Sequence, residues 1–148
     1  MKTLSALLII LSVINICYGA ETADTVLLPK DAVIQGTILN YNNDHLGNWR
    51  QCEDLIRFNI PQLDKGKYKV IIKYAAPDDR GGRVSIKLND CEFKKTFGGT
   101  GGWGAPYKEN IGYYKHSGGA VDITLQILDP NTKWEAVIDI YSITLEKR

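Results

Sequence analysis

The sequence predicts an all-β fold, an antiparallel β-sandwich of the jelly-roll type, from three observations. Apolar and polar residues alternate with period two in most segments after residue 50, which is typical of strands with one buried face. Turn-forming clusters of Gly, Pro, Asn and Asp separate these segments at intervals of about ten residues. No segment carries a sustained helical stripe. A closed barrel produces the same pattern, so that architecture remains an alternative.

Five segments carry the strand pattern most clearly. They are residues 54–60, 67–76, 83–90, 121–128 and 134–147. In the second of these, every other residue from Tyr68 to Tyr74 is apolar, and lysines fill most of the positions between them. In the last, the apolar phase changes after Ile140, which predicts a β-bulge or bend within a long strand.

Residues 1–19 have the pattern of a cleaved secretory signal peptide. A lysine precedes an apolar run, which ends in small residues before a predicted cut near Ala20. The apolar run is too short to span a bilayer comfortably. We therefore expect one domain over residues 20–148, secreted to the extracellular space or, in a bacterium, to the periplasm.

Charge is balanced along the chain. The sequence has 18 Lys and Arg and 17 Asp and Glu, and one of the lysines lies in the leader. A main partner such as nucleic acid or an anionic membrane favours a basic excess, so the balance speaks against both.

Cys52 and Cys91 are the two cysteines outside the leader. In an oxidising compartment such a pair either forms a disulfide or remains as two thiols, and sequence alone does not decide between them. Neither flank resembles a nucleophile motif, and His45 and His116 lie in no recognisable catalytic signature.

Catalytic motifs are not evident. Residues 99–104, GTGGWG, match the dinucleotide fingerprint formally, but that fingerprint requires a following helix, and APYKENIGYY carries no helical pattern. Several acidic residues lie near loops, yet nothing singles out a carboxylate pair for glycoside hydrolysis. The expectation is a protein without enzymatic activity, and a small glycoside-active enzyme is the least favoured alternative.

Trp103 is the most informative single residue. It lies in FGGTGGWGAPY (97–107), where glycine neighbours supply no side chains to pack against its ring. An exposed indole face suits a sugar ring, whose C–H groups stack on it while nearby polar groups bind the hydroxyls.

The order of several motifs resembles a known family. The motifs are G-x-W at 47–49, I-R-F-N at 56–59, G-K-Y-K-V-x-I-x-Y-A at 66–75, G-x-V-x-I-x-L at 82–88, T-G-G-W at 100–103 and I-x-I-Y-S-I-T-L at 138–145. This order is similar to that of carbohydrate-binding modules of families 6 and 35, within the galactose-binding-domain-like jelly rolls. It is also similar to the domain that follows the catalytic part of some α-L-fucosidases.

The resemblance implies a carbohydrate site in loops at one end of the sandwich. Trp103 matches the tryptophan of the family's T-G-G-W loop, with Tyr107 expected as a polar neighbour. Tyr41 and Trp49 are the candidates for a second aromatic residue. Before the last strand, the matching polar residue is Asn131, and Trp134 stands beside it.

The resemblance also implies a structural calcium ion in many members, with Asp31 and Asp139 as the nearest equivalents of its acidic ligands. The match departs from the family at Asp31, where D-A-V replaces the usual A-E pair. Because calcium takes six to eight oxygen ligands, two aspartates give only part of such a site.

The sequence thus predicts a secreted, non-catalytic, lectin-like module that binds a glycan or polysaccharide. Single carbohydrate sites usually bind weakly, so several copies in an oligomer would add avidity. A separately encoded enzyme is another expected partner. The alternative is an extracellular protein-interaction or structural module that binds no sugar.

Overall fold

The computed structural model of the chain describes residues 23–130 and 136–148. The predicted leader lies outside these residues, as do Asn131 and Trp134. Within the described residues, no helix is long and apolar enough to cross a bilayer.

Eleven strands and one short 3-10 helix make up the described secondary structure. The strands are β1 (Thr25–Leu27), β2 (Val33–Gln35), β3 (Leu39–Tyr41), β4 (His45–Gly47), β5 (Leu55–Leu63), β6 (Gly66–Ala76), β7 (Gly82–Leu88), β8 (Cys91–Phe97), β9 (Gly102–His116), β10 (Gly119–Pro130) and β11 (Asp139–Lys147). The 3-10 helix, Pro29–Asp31, connects β1 to β2.

The strands form two antiparallel sheets that pack as a sandwich. In the six-stranded sheet the order is β3-β4-β11-β6-β9, with β1 also paired to β11. In the five-stranded sheet it is β2-β5-β10-β7-β8. Two separate sheets distinguish this sandwich from the closed barrel that the sequence pattern also allowed.

The core lies between the sheets and is built from the alternating apolar positions. Fully buried residues are Ile56, Val70, Ile72, Ala75, Ala76, Val84, Ile86, Leu88, Val121, Ile123, Leu125, Ile138, Ile143 and Leu145. Each comes from a segment that the sequence predicted as a strand, because period-two alternation places every second side chain on one face of a sheet.

The predicted bulge in the last strand is confirmed, since the register of β11 against β6 shifts between Ile140 and Ser142. Six strands were missed, among them the four short strands β1 to β4 that precede residue 50. Strand β8 has a weak, lysine-rich pattern, and β9 covers residues 102–116, where a glycine-rich loop was expected. Trp103 therefore lies near the start of a strand rather than in a loop.

The possible disulfide is absent, and Cys52 and Cys91 are both free. The sulfur of Cys52 lies near the carbonyl oxygen of Leu128 in β10. Cys91 is in register with Leu88, which in turn faces Ile123 in β10. Leu128 and Ile123 are five residues apart in β10, which corresponds to about 17 Å along the strand. A disulfide requires Cα atoms within about 7 Å, so this fold keeps the thiols apart.

A buried carboxylate organises the loops between β2 and β5. Asp54 is almost completely buried and accepts hydrogen bonds from the Thr37 amide at 2.9 Å, the Thr37 hydroxyl at 2.6 Å and the Gln51 amide at 3.3 Å. A Cβ on Gly36 would meet the Asp54 carboxylate at 1.8 Å, and Gly36 has φ of 101°. The glycine therefore gives the carboxylate the space that it occupies.

Removing the Asp54 carboxylate should destabilise the protein. Asp54→Ala leaves two backbone amides and a hydroxyl without their acceptor, and we expect a loss of about 2–3 kcal/mol in the free energy of unfolding. Urea denaturation measures this change. Asp64→Ala, at an exposed carboxylate, is the matched control and should change stability by about 0.5 kcal/mol or less. Equal effects of the two substitutions would contradict the role of the Asp54 carboxylate as a stabilising buried acceptor.

Candidate functional site

A cleft of about 660 Å³ opens at one end of the six-stranded sheet. It lies where β6 ends, β9 and β11 begin, and the β3-β4 hairpin turns. Its lining residues are Tyr41, His45, Asn48, Arg50, Arg80, Trp103, Ala136 and Asp139. Both Trp103 and Tyr41 were predicted as site aromatics, and the fold brings them to the same cleft from positions far apart in the chain.

A bulge in β9 displays Trp103. Gly102 is in register with Ala76 and Tyr107 with Tyr74, so β9 advances five residues while β6 advances two. Residues 103–106 form the excess length and leave the regular ladder. Trp103 retains 36% of its accessible surface, and an added Cβ on Gly102 or Gly104 would meet nothing within 4 Å. Trp103 is therefore partly exposed at a position where its glycine neighbours add no side chains.

Other glycines of the same stretch have a different role. A Cβ on Gly99 would lie 2.2 Å from the Cα of Asp78, so Gly99 permits close backbone approach. The neighbouring Thr100 hydroxyl bonds the backbone of Ala76, and the Gly101 amide donates to Asp78 at 3.0 Å. These contacts fix the loop before β9, which leaves Trp103 on a rigid base.

A second wall of the cleft is a stack of three rings. Tyr41 stacks on His45 with ring centroids 4.7 Å apart, and His45 lies 5.3 Å from the ring of Tyr141. The Tyr141 hydroxyl donates to the Trp103 carbonyl at 2.9 Å. Tyr41 is 42% exposed at the outer end of the stack. The hydrogen bond links this wall to the backbone of Trp103, so both aromatic groups belong to one assembly.

His45 lies between two carboxylates. Its Nδ1 is 2.9 Å from Asp44 Oδ2, and its Nε2 is 3.6 Å from Asp139 Oδ2. Burial raises the pKa of Asp139 to about 6, and the nearby His45 opposes part of that increase. Gly47 makes the arrangement possible, because a Cβ there would meet Asp139 Oδ1 at 2.5 Å and the Tyr41 ring at 2.9 Å.

Three further polar side chains line the cleft. Asn48 adopts a left-handed backbone conformation with φ of 57°, and its side-chain amide donates to the Thr37 carbonyl at 2.7 Å. Arg50 follows in the same loop. Arg80 comes from the turn after β6, where its Nε lies 3.5 Å from Asp79. Hydrogen-bond donors thus surround the two exposed aromatic rings, as recognition of hydroxyl or carboxylate groups requires.

Trp49 is corrected from a candidate ligand contact to a core residue. Only 1% of its surface is exposed, so neither ring face is open to a sugar. Its carbonyl accepts from the Val137 amide at 2.9 Å, which joins the loop before β5 to the start of the last strand.

Tyr107 does not line this cleft. It lies four residues beyond Trp103 in β9, is 57% exposed, and meets the ring of Tyr74 edge-on. The predicted contacts of Asn131 and Trp134 concern residues outside those that the structure describes, and they stay predictions.

Asp31 and Asp139, the predicted acidic ligands of a calcium ion, have different protein neighbours. The Asp31 carboxylate accepts from the Leu28 amide at 2.9 Å across the short 3-10 helix, whereas Asp139 faces His45. Residues 23–130 and 136–148 contain no group of three or more His, Cys, Asp or Glu side chains arranged as metal ligands. Calcium also accepts backbone carbonyl oxygens as ligands, so coordination by Asp31 and Asp139 stays a prediction.

Sequence reasoning missed His45, Asn48, Arg50 and Arg80 as cleft residues. Local signals existed for two of them, since Asn48 stands within the G-N-W motif and Arg80 within the turn PDDRGG. Neither signal indicates that the two turns meet, because that depends on the pairing of β4 with β11 and of β11 with β6.

Comparison with solved structures identifies the architecture. A family 35 carbohydrate-binding module from Clostridium thermocellum is similar over 85% of this chain and 99% of its own, with a TM-score of 0.69 and 15% sequence identity. The similarity predicted from the motifs is confirmed for the fold. No protein-family model and no curated protein sequence matches the chain.

Two enzymes contain a region with the same fold. The GH26-CBM35 β-(1,4)-mannanase of Podospora anserina is similar over 84% of this chain and 28% of its own, with a TM-score of 0.62 and 21% identity. The exo-β-1,3-galactanase of Phanerochaete chrysosporium is similar over 83% of this chain and 29% of its own, with a TM-score of 0.64 and 16% identity. This chain therefore spans less than a third of either enzyme.

The two kinds of glycine around Trp103 predict mutational effects on stability of different size. Gly99→Ala forces a Cβ against the backbone of Asp78, and we expect a loss of at least about 2 kcal/mol in the free energy of unfolding. Gly104→Ala places its Cβ in open space and should change stability by less than about 1 kcal/mol. Thermal unfolding of both variants measures the contrast. A larger loss of stability in Gly104→Ala than in Gly99→Ala would show that the space around Gly104 is filled in the folded protein.

Asp139 should make stability fall as pH rises. Its pKa is about 6 in the folded protein, above the ordinary value of 3.8, so the folded state retains a proton that the unfolded chain loses between these values. Stability is greatest below about pH 4 with respect to this group and declines through about pH 6. Asp139→Asn removes the decline and should exceed the native protein by roughly 1–3 kcal/mol near pH 8.

Denaturation at several pH values, with a chelator present throughout, tests this dependence. Asp31→Asn is the matched control at the exposed carboxylate. If Asp139→Asn is less stable than the native protein near pH 8, then the ionised carboxylate is stabilised in the fold and the stated sign is wrong.

Proposed function

We propose that this protein is a secreted, non-catalytic module that binds carbohydrate in the cleft between Trp103 and Tyr41. The main observation in support is the position of Trp103. It lies on a bulge of β9, outside the regular strand pairing, and its neighbours Gly102 and Gly104 have no side chains. A ring held in this way offers a flat apolar surface to a sugar.

The surrounding groups support the same ligand class. Tyr41 supplies a second exposed ring across the cleft, and Asn48, Arg50 and His45 lie within reach of ligand hydroxyls. Several of these groups are already positioned by hydrogen bonds or ring stacking inside the protein. Preorganisation of this kind reduces the conformational entropy that binding removes.

The fold supports a binding role over catalysis. Similarity to an isolated family 35 carbohydrate-binding module extends over nearly all of that module, whereas the two enzymes match through less than a third of their length. The apolar leader at residues 1–19 supports export.

Replacing Trp103 should abolish most of the binding. Trp103→Ala removes the stacking surface without touching the core, so we expect affinity for a retained polysaccharide to fall at least about tenfold while the melting temperature stays within a few degrees. Affinity electrophoresis and calorimetry on soluble β-1,4-mannan, β-1,3-galactan and a wider glycan panel provide the measurement.

Tyr107→Ala is the matched control, because it removes an exposed aromatic ring from the same strand outside the cleft. It should bind like the native protein. Retention of binding in Trp103→Ala together with its loss in Tyr107→Ala would move the site along β9. If the native protein binds no glycan on the panel, the protein-interaction alternative is favoured instead.

A further inference from the structure

We propose that the outer face of the six-stranded sheet binds an acidic polysaccharide through two facing pairs of lysines. Lys67 in β6 lies directly opposite Lys115 in β9, and Lys73 lies directly opposite Lys108. Cβ atoms of directly opposed residues in antiparallel strands are about 5 Å apart, so each pair concentrates two positive charges. None of these lysines lines the aromatic cleft, and the inference rests on the proposed function only in taking the ligand to be a glycan.

The register places both pairs on the solvent side. Their neighbours along the strands, Tyr68, Tyr74 and Tyr114, are buried on the opposite side of the sheet. Lys69 lies between the two pairs on the same face. Among the lysines of the described residues, Lys94, Lys95 and Lys147 form ion pairs with carboxylates, and the five lysines of this face form none. Glu146 in β11 lies opposite Lys69, and its carboxylate pairs with Arg148.

Directly opposed like charges destabilise a sheet, so their presence requires an explanation. In the five-stranded sheet the equivalent outward position of Lys87 faces Glu92, which is an ordinary complementary pair. Lysines on an edge strand prevent edge-to-edge aggregation, and β9 is such a strand. Lys67 and Lys73, however, lie in β6, which is paired on both sides, so edge protection does not account for them.

The two lysines of β6, Lys67 and Lys73, lie over aromatic rings. The Lys67 ammonium lies 4.5 Å from the centroid of the Tyr113 ring, and the Lys73 ammonium lies 5.5 Å from that of Tyr141. At the far end of the face, Lys65, Lys67, Lys115 and Tyr113 line a hollow of about 510 Å³. A cationic hollow beside an exposed ring suits a sugar that carries a carboxylate or a sulfate ester.

The spacing of the pairs indicates a polymer. Six residues of β6 separate Lys67 from Lys73, which corresponds to about 20 Å. A single small anion cannot contact both pairs, whereas a chain with repeated negative charges can. Tyr141, which lies under Lys73, also donates to the Trp103 carbonyl, so this face ends beside the aromatic cleft. That continuity favours a polysaccharide over a nucleic acid as the occupant.

Binding to dextran sulfate and to uncharged dextran tests the proposal, because the two polymers share one backbone. The native protein should bind dextran sulfate and not dextran, with affinity that falls steeply as salt increases. The double variants Lys67→Gln/Lys115→Gln and Lys73→Gln/Lys108→Gln should each weaken binding at least about tenfold. Polygalacturonate, assayed in parallel, shows whether carboxylates serve as well as sulfate esters.

Lys87→Gln/Lys94→Gln is the matched control, because it removes the same charge from the outer face of the other sheet. It should bind dextran sulfate like the native protein, and an equal loss would show that only net charge matters and overturn the proposal. Equal binding of single-stranded DNA, lost in the same face variants, would overturn the polysaccharide assignment. The two face variants should melt at or above the native temperature, since each removes a repulsive pair.

Trp103→Ala separates this proposal from the cleft. Dextran sulfate binding that persists in Trp103→Ala and is lost in the lysine variants supports the face, even if no neutral glycan binds the native protein. Dextran sulfate binding that is lost in Trp103→Ala and retained in both lysine variants assigns the ligand to the cleft and overturns the face.

Discussion

The apolar layer between the two sheets is the interaction on which the other features of the structure depend. Residues such as Val70, Ile72, Ile123 and Leu125 lose all contact with water when the sheets pack. Burial of each such side chain contributes about 1.5–3 kcal/mol, which makes this layer the main favourable term in folding. It also fixes strand register, because a shift of one residue would turn the apolar set towards solvent.

A fixed register leaves the outward positions free to carry function. The core determines that Lys67 and Lys73 point away from it, while the register of β9 places Lys115 and Lys108 opposite them. Substitutions at exposed positions change the stability of a protein little. A repulsive pair of lysines is therefore tolerated on the surface, whereas a mispacked residue in the core is not. Departures from local electrostatic preference are therefore informative on this surface.

The cleft has a different origin, because it forms where the regular ladder ends. The bulge at residues 103–106, the left-handed Asn48 and the close approach at Gly47 all lie at one end of the sandwich. The bulge and the turn at Asn48 take the backbone out of the regular pairing, while Gly47 leaves room for Asp139 and Tyr41. The aromatic stack of Tyr41, His45 and Tyr141 then converts these irregular ends into a rigid wall.

The fold class, most core positions and the bulge after Ile140 were predictable from the sequence, because they follow from local alternation and turn chemistry. The sequence also identified Trp103 from its glycine neighbours. Only the tertiary structure placed Trp49 in the core and separated Cys52 from Cys91, since burial and distance depend on which strands pair. The cleft and the facing lysines arise from residues distant in sequence, and strand pairing alone decides that they meet.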